Sequence, residues 1–263
     1  MDKQLLTMKL YAPPLRPGLV HRLRLLQKMN VGLQEGRSLT LITAPAGYGK
    51  TTLALEWLTH LDRAYGWLSL DRADNHPLQF LTYLIAALGD VDENMRAILE
   101  SILEQQVHQD ETTRVQSVLT ALVNQLAKVE TPFTLVLDDY HAITDLMVHQ
   151  ALEFVLEHQP PLMHLVIVTR QDPLLPLSKL RSKGKLTEIR LGELRFTPEE
   201  TGQFLNETMS LALLPEEVTA LQGRTEGWIA GLQLAAISLS ELPAWSETSL
   251  DSETRSQYIQ AFA

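Results

Sequence analysis

The chain reads as an α/β fold: a parallel sheet flanked by helices, followed by a smaller helical domain. Three observations predict it. Short apolar runs alternate with helix-length amphipathic segments up to about residue 192, as in successive strand–helix–strand units. The runs Leu39–Thr43, Phe133–Leu137 and His164–Val168 carry no carboxylate, lysine or arginine, as strands covered on both faces require. From Thr197 onward helical patterns follow one another with no strand between them.

Taken in order, residues 1–18 are irregular and close with Pro13, Pro14, Pro17 and Gly18. An amphipathic helix is expected from Gly18 to about Leu33, broken by Glu35-Gly36-Arg37. Strand Leu39–Thr43 leads through a glycine-containing loop into a helix from Lys50 to about Leu61. A second strand is expected over Tyr65–Leu70. Pro77 suits the first turn of a helix whose Leu78, Leu81, Leu84, Ile85 and Leu88 keep helical spacing. Helices are expected at 94–109, 112–128 and 145–158, and strands at Phe133–Leu137, His164–Val168 and Leu186–Leu191. Thr197-Pro198-Glu199-Glu200 is a helix start with a cap and a carboxylate three residues on. Helices near 198–209, 215–224 and 228–241 follow, and 254–263 reads as a helix cut short. The division is a nucleotide-binding domain over 1–192 and a helical domain over 193–263.

The run Ala44-Pro45-Ala46-Gly47-Tyr48-Gly49-Lys50-Thr51-Thr52 follows the phosphate-loop pattern G-x-x-x-x-G-K-[S/T], with Ala44 in the place of the first glycine. In such a loop successive backbone N–H groups surround a phosphate, and the helix dipole that starts behind them adds positive potential. Lys50 supplies a point charge for the β- and γ-phosphates, and the Thr51 hydroxyl an oxygen ligand for magnesium. About 90 residues on, Phe133–Leu137 delivers Asp138-Asp139 to the end of a strand. Asp138 is expected to hold magnesium and Asp139 to polarise the attacking water. Arg170, at the end of the next strand, can reach a γ-phosphate; a surface ion pair with Asp172 is the plainer alternative.

The net charge of −10 argues against broad nonspecific binding to nucleic acid by this segment. Without cysteine there is no disulfide, zinc ribbon or thiol catalysis in it. No apolar run reaches a membrane span and no signal peptide is visible, so the expected location is the cytoplasm, with no membrane partner. The basic run Lys179, Arg181, Lys183, Lys185 and Arg190 reads as a solvated turn. Trp57, Trp67 and Trp228 read as core residues.

In these motifs the chain resembles the N-terminal portion of MalT-like transcriptional regulators, STAND-class P-loop ATPases of the AAA+ type that end in a LuxR-type DNA-binding domain. The matching runs are Thr43–Thr52 (Walker A), Trp67–Asp71, Leu137–His141 (Walker B), Thr169–Pro173, Arg195–Glu200 and Arg224–Ala235. The resemblance implies a weak ATPase used as a switch, with ATP/ADP and Mg2+ as ligands. An ADP-bound resting form self-associates after exchange for ATP. Val20 and Arg22 would lie near the adenine. Gly231-Leu232-Gln233 stands where many relatives have Gly-x-Pro, with Gln233 replacing the proline. Inducer and DNA would be bound by domains absent from this chain. A P-loop metabolic enzyme, such as a small-molecule kinase, is the alternative function, and a scaffold with a degenerate loop is a third.

Overall fold

The computed structural model describes residues 5–105 and 110–241. The helix expected at 254–263 lies outside them, as do residues 106–109 of the expected 94–109 helix.

The elements run α1 (Leu23–Gln34), β1 (Leu39–Thr43), α2 (Lys50–Thr59), β2 (Ala64–Ser69), α3 (Pro77–Leu88), α4 (Glu93–Gln105), α5 (Glu111–Leu126), β3 (Phe133–Asp138) and α6 (Leu146–Glu157). They continue with β4 (Met163–Thr169), α7 (Leu177–Ser182), β5 (Leu186–Arg190), the single turn α8 (Leu191–Leu194), α9 (Pro198–Gln203), α10 (Pro215–Thr225) and α11 (Ile229–Ser240). The five strands form one parallel sheet in the order β2-β3-β4-β1-β5.

Side chains alternate across the sheet with period two, and each set finds its own core. Leu39 and Leu41, Phe133, Leu135 and Leu137, and Leu165 and Ile167 pack toward α3, α4, α5 and α6. Ile42, Val136, Val166, Val168 and Ile189 face the other way, toward α1 and α2, where Trp57 and Trp67 are fully buried. A third apolar cluster gathers Phe196, Leu205, Leu221, Leu232 and Leu239 from the C-terminal helices with Val20 from the N-terminal segment.

Two expectations need correction. The first helix starts at Leu23, not Gly18. Gly18 has φ +73° and its carbonyl accepts from Thr208 Oγ1 at 2.6 Å, so the segment before Leu23 is held by the C-terminal helices instead of coiling. The helix expected over 198–209 ends as α at Gln203 and continues as a π turn over Phe204–Thr208. Its start is as expected: Glu200 N donates to Thr197 Oγ1 and Thr197 N to Glu200 Oε2, a reciprocal cap.

Three of the five residues of the basic run form ion pairs among the described residues, and Lys185 donates to Gly36 O at 3.2 Å. Lys179 meets Glu157, Arg181 meets Glu188, and Arg190 meets both Asp172 and Glu188. Among the described residues no helix is long and apolar enough to cross a membrane.

Candidate nucleotide site

Three strands of a parallel sheet deliver the candidate groups to one edge, where open α/β folds bind ligands. β1 ends in the loop Ala44–Gly49, β3 in Asp138 and Asp139, and β4 in Thr169 and Arg170. In the sheet β4 separates β1 from β3.

Ala44 has no left-handed backbone and is buried among Ile42, Leu53 and Ala54, so its methyl packs where a glycine's freedom is not needed. Pro45, Ala46 and Gly47 form the exposed outer turn of the loop, and Tyr48 and Gly49 return it to α2. Gly47 and Gly49 have φ of +84° and +67°. A Cβ on Gly47 would stand 2.5 Å from Trp228 Nε1 and 2.6 Å from Ala230 Cβ, so glycine is required there twice over, by backbone and by neighbour.

The Lys50 ammonium donates to Pro45 O at 2.9 Å. Burial, and then the charge of Arg170, lowers its pKa. Thr51 Oγ1 donates to both carboxylate oxygens of Asp138, at 3.0 and 3.1 Å. Asp138 is buried, and burial followed by the charge of Asp139 pushes its pKa up to about 6. Asp139 N donates to Asp138 Oδ1 at 3.0 Å. A hydroxyl and a carboxylate in contact beneath a phosphate loop are hard oxygen donors, which fits a magnesium ion.

Arg170 is exposed beyond β4 and has no hydrogen bond or ion pair among the described residues; Asp172 is taken by Arg190. Arg22 is almost fully buried behind the loop. Its guanidinium donates to Tyr48 O at 3.2 Å and Gly49 O at 2.6 Å, and burial lowers its pKa to about 10. The structure therefore spends the Arg22 guanidinium on bracing the loop through two of its carbonyls. Thr51 and Thr52 lie beside a cavity of about 430 Å³. Val20, Arg22, Phe196, Phe204 and Gln233 form its other walls.

Trp228 is the residue that sequence reasoning misplaced. It is not core: 36% of it is exposed, and its indole N–H donates to Ala46 O at 3.0 Å. Ala230 N donates to Gly47 O at 3.0 Å. The start of α11 thus bonds the outer carbonyls of the loop. A Cβ on Gly231 would stand 2.6 Å from the Trp228 ring, so a glycine there leaves room for the indole.

Residues 16–168 match the AAA ATPase domain. The chain is 38% identical over 234 residues to the HTH-type transcriptional regulator MalT of Cronobacter sakazakii. That alignment covers 89% of this chain and 25% of the regulator, so the chain spans about a quarter of the length of the curated relatives it matches. Among solved structures, it superposes on Drosophila ORC bound to DNA with a TM-score of 0.56 at 8% identity, covering 96% of this chain and 64% of that one. For a Thermotoga maritima RuvB variant the TM-score is 0.52 at 15% identity, with 94% and 72% covered. These likenesses give the fold, a P-loop NTPase parallel sheet flanked by helices. The chain belongs to the AAA ATPase domain family.

Proposed function

We propose that this segment is an ATP/ADP-binding switch with slow ATP hydrolysis, working within a signal-responsive transcriptional regulator. The observation that carries the reading is the Thr51–Asp138 contact beneath a loop whose outer carbonyls are bonded by α11. It joins a phosphate site to a separately packed group of helices, which is what a switch must couple. We take these helices, from about 193, as a second domain, and 1–192 as the nucleotide-binding domain.

In this reading the loop amides and Lys50 hold the β- and γ-phosphates. Lys50 exchanges its bond to Pro45 O for phosphate oxygens. Thr51 and Asp138 would hold Mg2+, which would supply positive charge to offset that of the phosphates. Asp139 accepts hydrogen bonding from the attacking water, and Arg170 pairs with the γ-phosphate. The cavity walled by Val20 and Phe196 takes the nucleoside. Turnover is slow because ADP is held by the same loop contacts. Self-association in the ATP form, with inducer and DNA bound by other parts of a longer cytoplasmic protein, completes the proposal; support comes from the similarity to MalT.

The experiment is chromatography of whatever nucleotide the purified protein releases on denaturation. ADP is expected. Rapid ADP formation that depends on an added small-molecule acceptor would instead favour a kinase.

A further inference from the structure

The sheet has a second edge, where β1, β4 and β5 begin, opposite the one that carries the phosphate loop. A cavity of about 630 Å³ opens there between residues 36–38, residues 156–161 and α7 with the turn behind it. A smaller cavity of about 180 Å³ adjoins it, sharing Gly36, Arg37, Pro161 and Met163. The larger one has the size of a small-molecule site. Its walls are preformed. Pro160, Pro161 and Pro176 stiffen the chain around it, and Gln159 Nε2 donates to Ser38 O and Met163 O at 3.0 and 2.8 Å, tying the starts of β1 and β4 together.

The lining is charged on one side of the balance. Arg37, Lys179, Lys183 and Lys185 border the larger cavity and Arg63 the smaller, in a chain whose net charge is −10. Among the described residues Glu157 is the one carboxylate in either lining. It pairs with Lys179, and Arg37 donates through Nε and Nη2 to Glu35. Lys185 donates to Gly36 O. The side chains of Lys183 and Arg63 make no hydrogen bond or ion pair among the described residues. Arg63 is half-buried, and burial lowers its pKa with no carboxylate to offset the charge. A concave surface with unbalanced cations focuses positive potential and draws anions.

Leu156, Met163 and Leu180 give the same cavity an apolar side. The Arg37 fork, which would suit a planar carboxylate, is already spent on Glu35. The ammonium left free at Lys183 meets phosphate as a point charge. We propose that this cavity binds a small organic phosphate, its uncharged body against the apolar side and its phosphate drawn to Lys183 and the neighbouring cations. The site is separate from the phosphate loop and does not rest on the nucleotide reading.

The test is a titration of phenyl phosphate into the full chain followed by amide NMR shifts, with ADP and Mg2+ present to fill the phosphate loop. Saturable shifts are expected at residues 36–38 and 183–185, with 47–51 unmoved, and the same shifts are expected in Lys50→Ala. Lys183 is exposed, so Lys183→Glu is expected to fold and to bind ADP as wild type does while weakening phenyl phosphate about tenfold or more. Lys183→Arg is expected to keep most of the affinity. Phthalate, a dicarboxylate on the same ring, is expected to bind more weakly. Shifts confined to 47–51 or lost in Lys50→Ala would assign the phosphate to the loop alone and overturn the proposal. So would no saturable shift, wild-type affinity in Lys183→Glu, an arginine variant as weak as the glutamate one, or phthalate bound as tightly as phenyl phosphate.

Discussion

The Trp228 indole donates to Ala46 O at 3.0 Å, so a side chain from the C-terminal helices is bonded directly to the phosphate loop. The neighbouring Ala230 N–H bonds Gly47 O. A peptide group whose carbonyl is held from outside has its N–H turned inward, toward the proposed phosphate site. Trp228→Phe keeps the ring over Gly231 and removes only the donor. Losing one hydrogen bond of about 1 kcal/mol corresponds to roughly fivefold weaker ADP binding, to be read by calorimetry. Unchanged affinity would show that the bond does not shape the loop.

Gly47→Ala tests the same contact from the loop side. Its Cβ would enter the space of Trp228 and Ala230 at a left-handed φ. Backbone strain alone costs about 1–3 kcal/mol, so nucleotide binding is expected to be lost and thermal stability lowered. A variant that binds ADP like wild type would mean that α11 leaves the loop without cost.

Two buried groups set opposing pH dependences. His164 receives Thr40 Oγ1 at Nε2 and donates from Nδ1 to Arg37 O, an arrangement that suits the neutral ring. Burial drops its pKa from 6.5 to about 4. The folded state then binds fewer protons than the unfolded one, so this contribution is present above pH 6.5 and is lost as pH falls toward 4. Between about pH 7 and 5 it amounts to roughly 2 kcal/mol of lost stability. Asp138 works the other way. With its pKa raised to about 6, the folded protein takes up a proton below that pH and gains stability as pH falls from 6 toward 4. The two nearly offset in the wild type. Urea unfolding at both pH values should therefore show a smaller acid loss in His164→Gln and a larger one in Asp138→Asn than in wild type.

The same raised pKa bears on the proposed metal site. A protonated Asp138 is a poor ligand, so magnesium-dependent ATP affinity is expected to weaken as pH drops below about 6. Titration calorimetry across pH, with and without Mg2+, checks this. An Mg2+ increment that is flat with pH would remove Asp138 from the metal site.

The sheet was legible because its strands announce themselves twice, by uncharged apolar runs and by the chemistry at their ends. Leu39–Thr43 into Gly49-Lys50-Thr51, and Phe133–Leu137 into Asp138, were located to within a residue. What was not legible is what the two halves of the chain do to each other. Helical periodicity carried α1 back to Gly18, yet Val20 belongs to the C-terminal apolar cluster and Arg22 is spent on loop carbonyls. Local pattern also made Trp228 a core residue, because nothing near it in sequence reveals that Ala46 is its partner. Contacts between segments some 180 residues apart override local propensity, and one sequence alone does not display them.

The central claim is that Ala44–Thr52 holds a nucleotide. The most direct measurement is calorimetric titration of ADP into wild-type protein freed of nucleotide and into Lys50→Ala. Tight binding by wild type, and none by a Lys50→Ala variant that keeps the wild-type circular dichroism spectrum, is the expected result. No heat of binding in the wild type, or equal affinity in the two proteins, would contradict it.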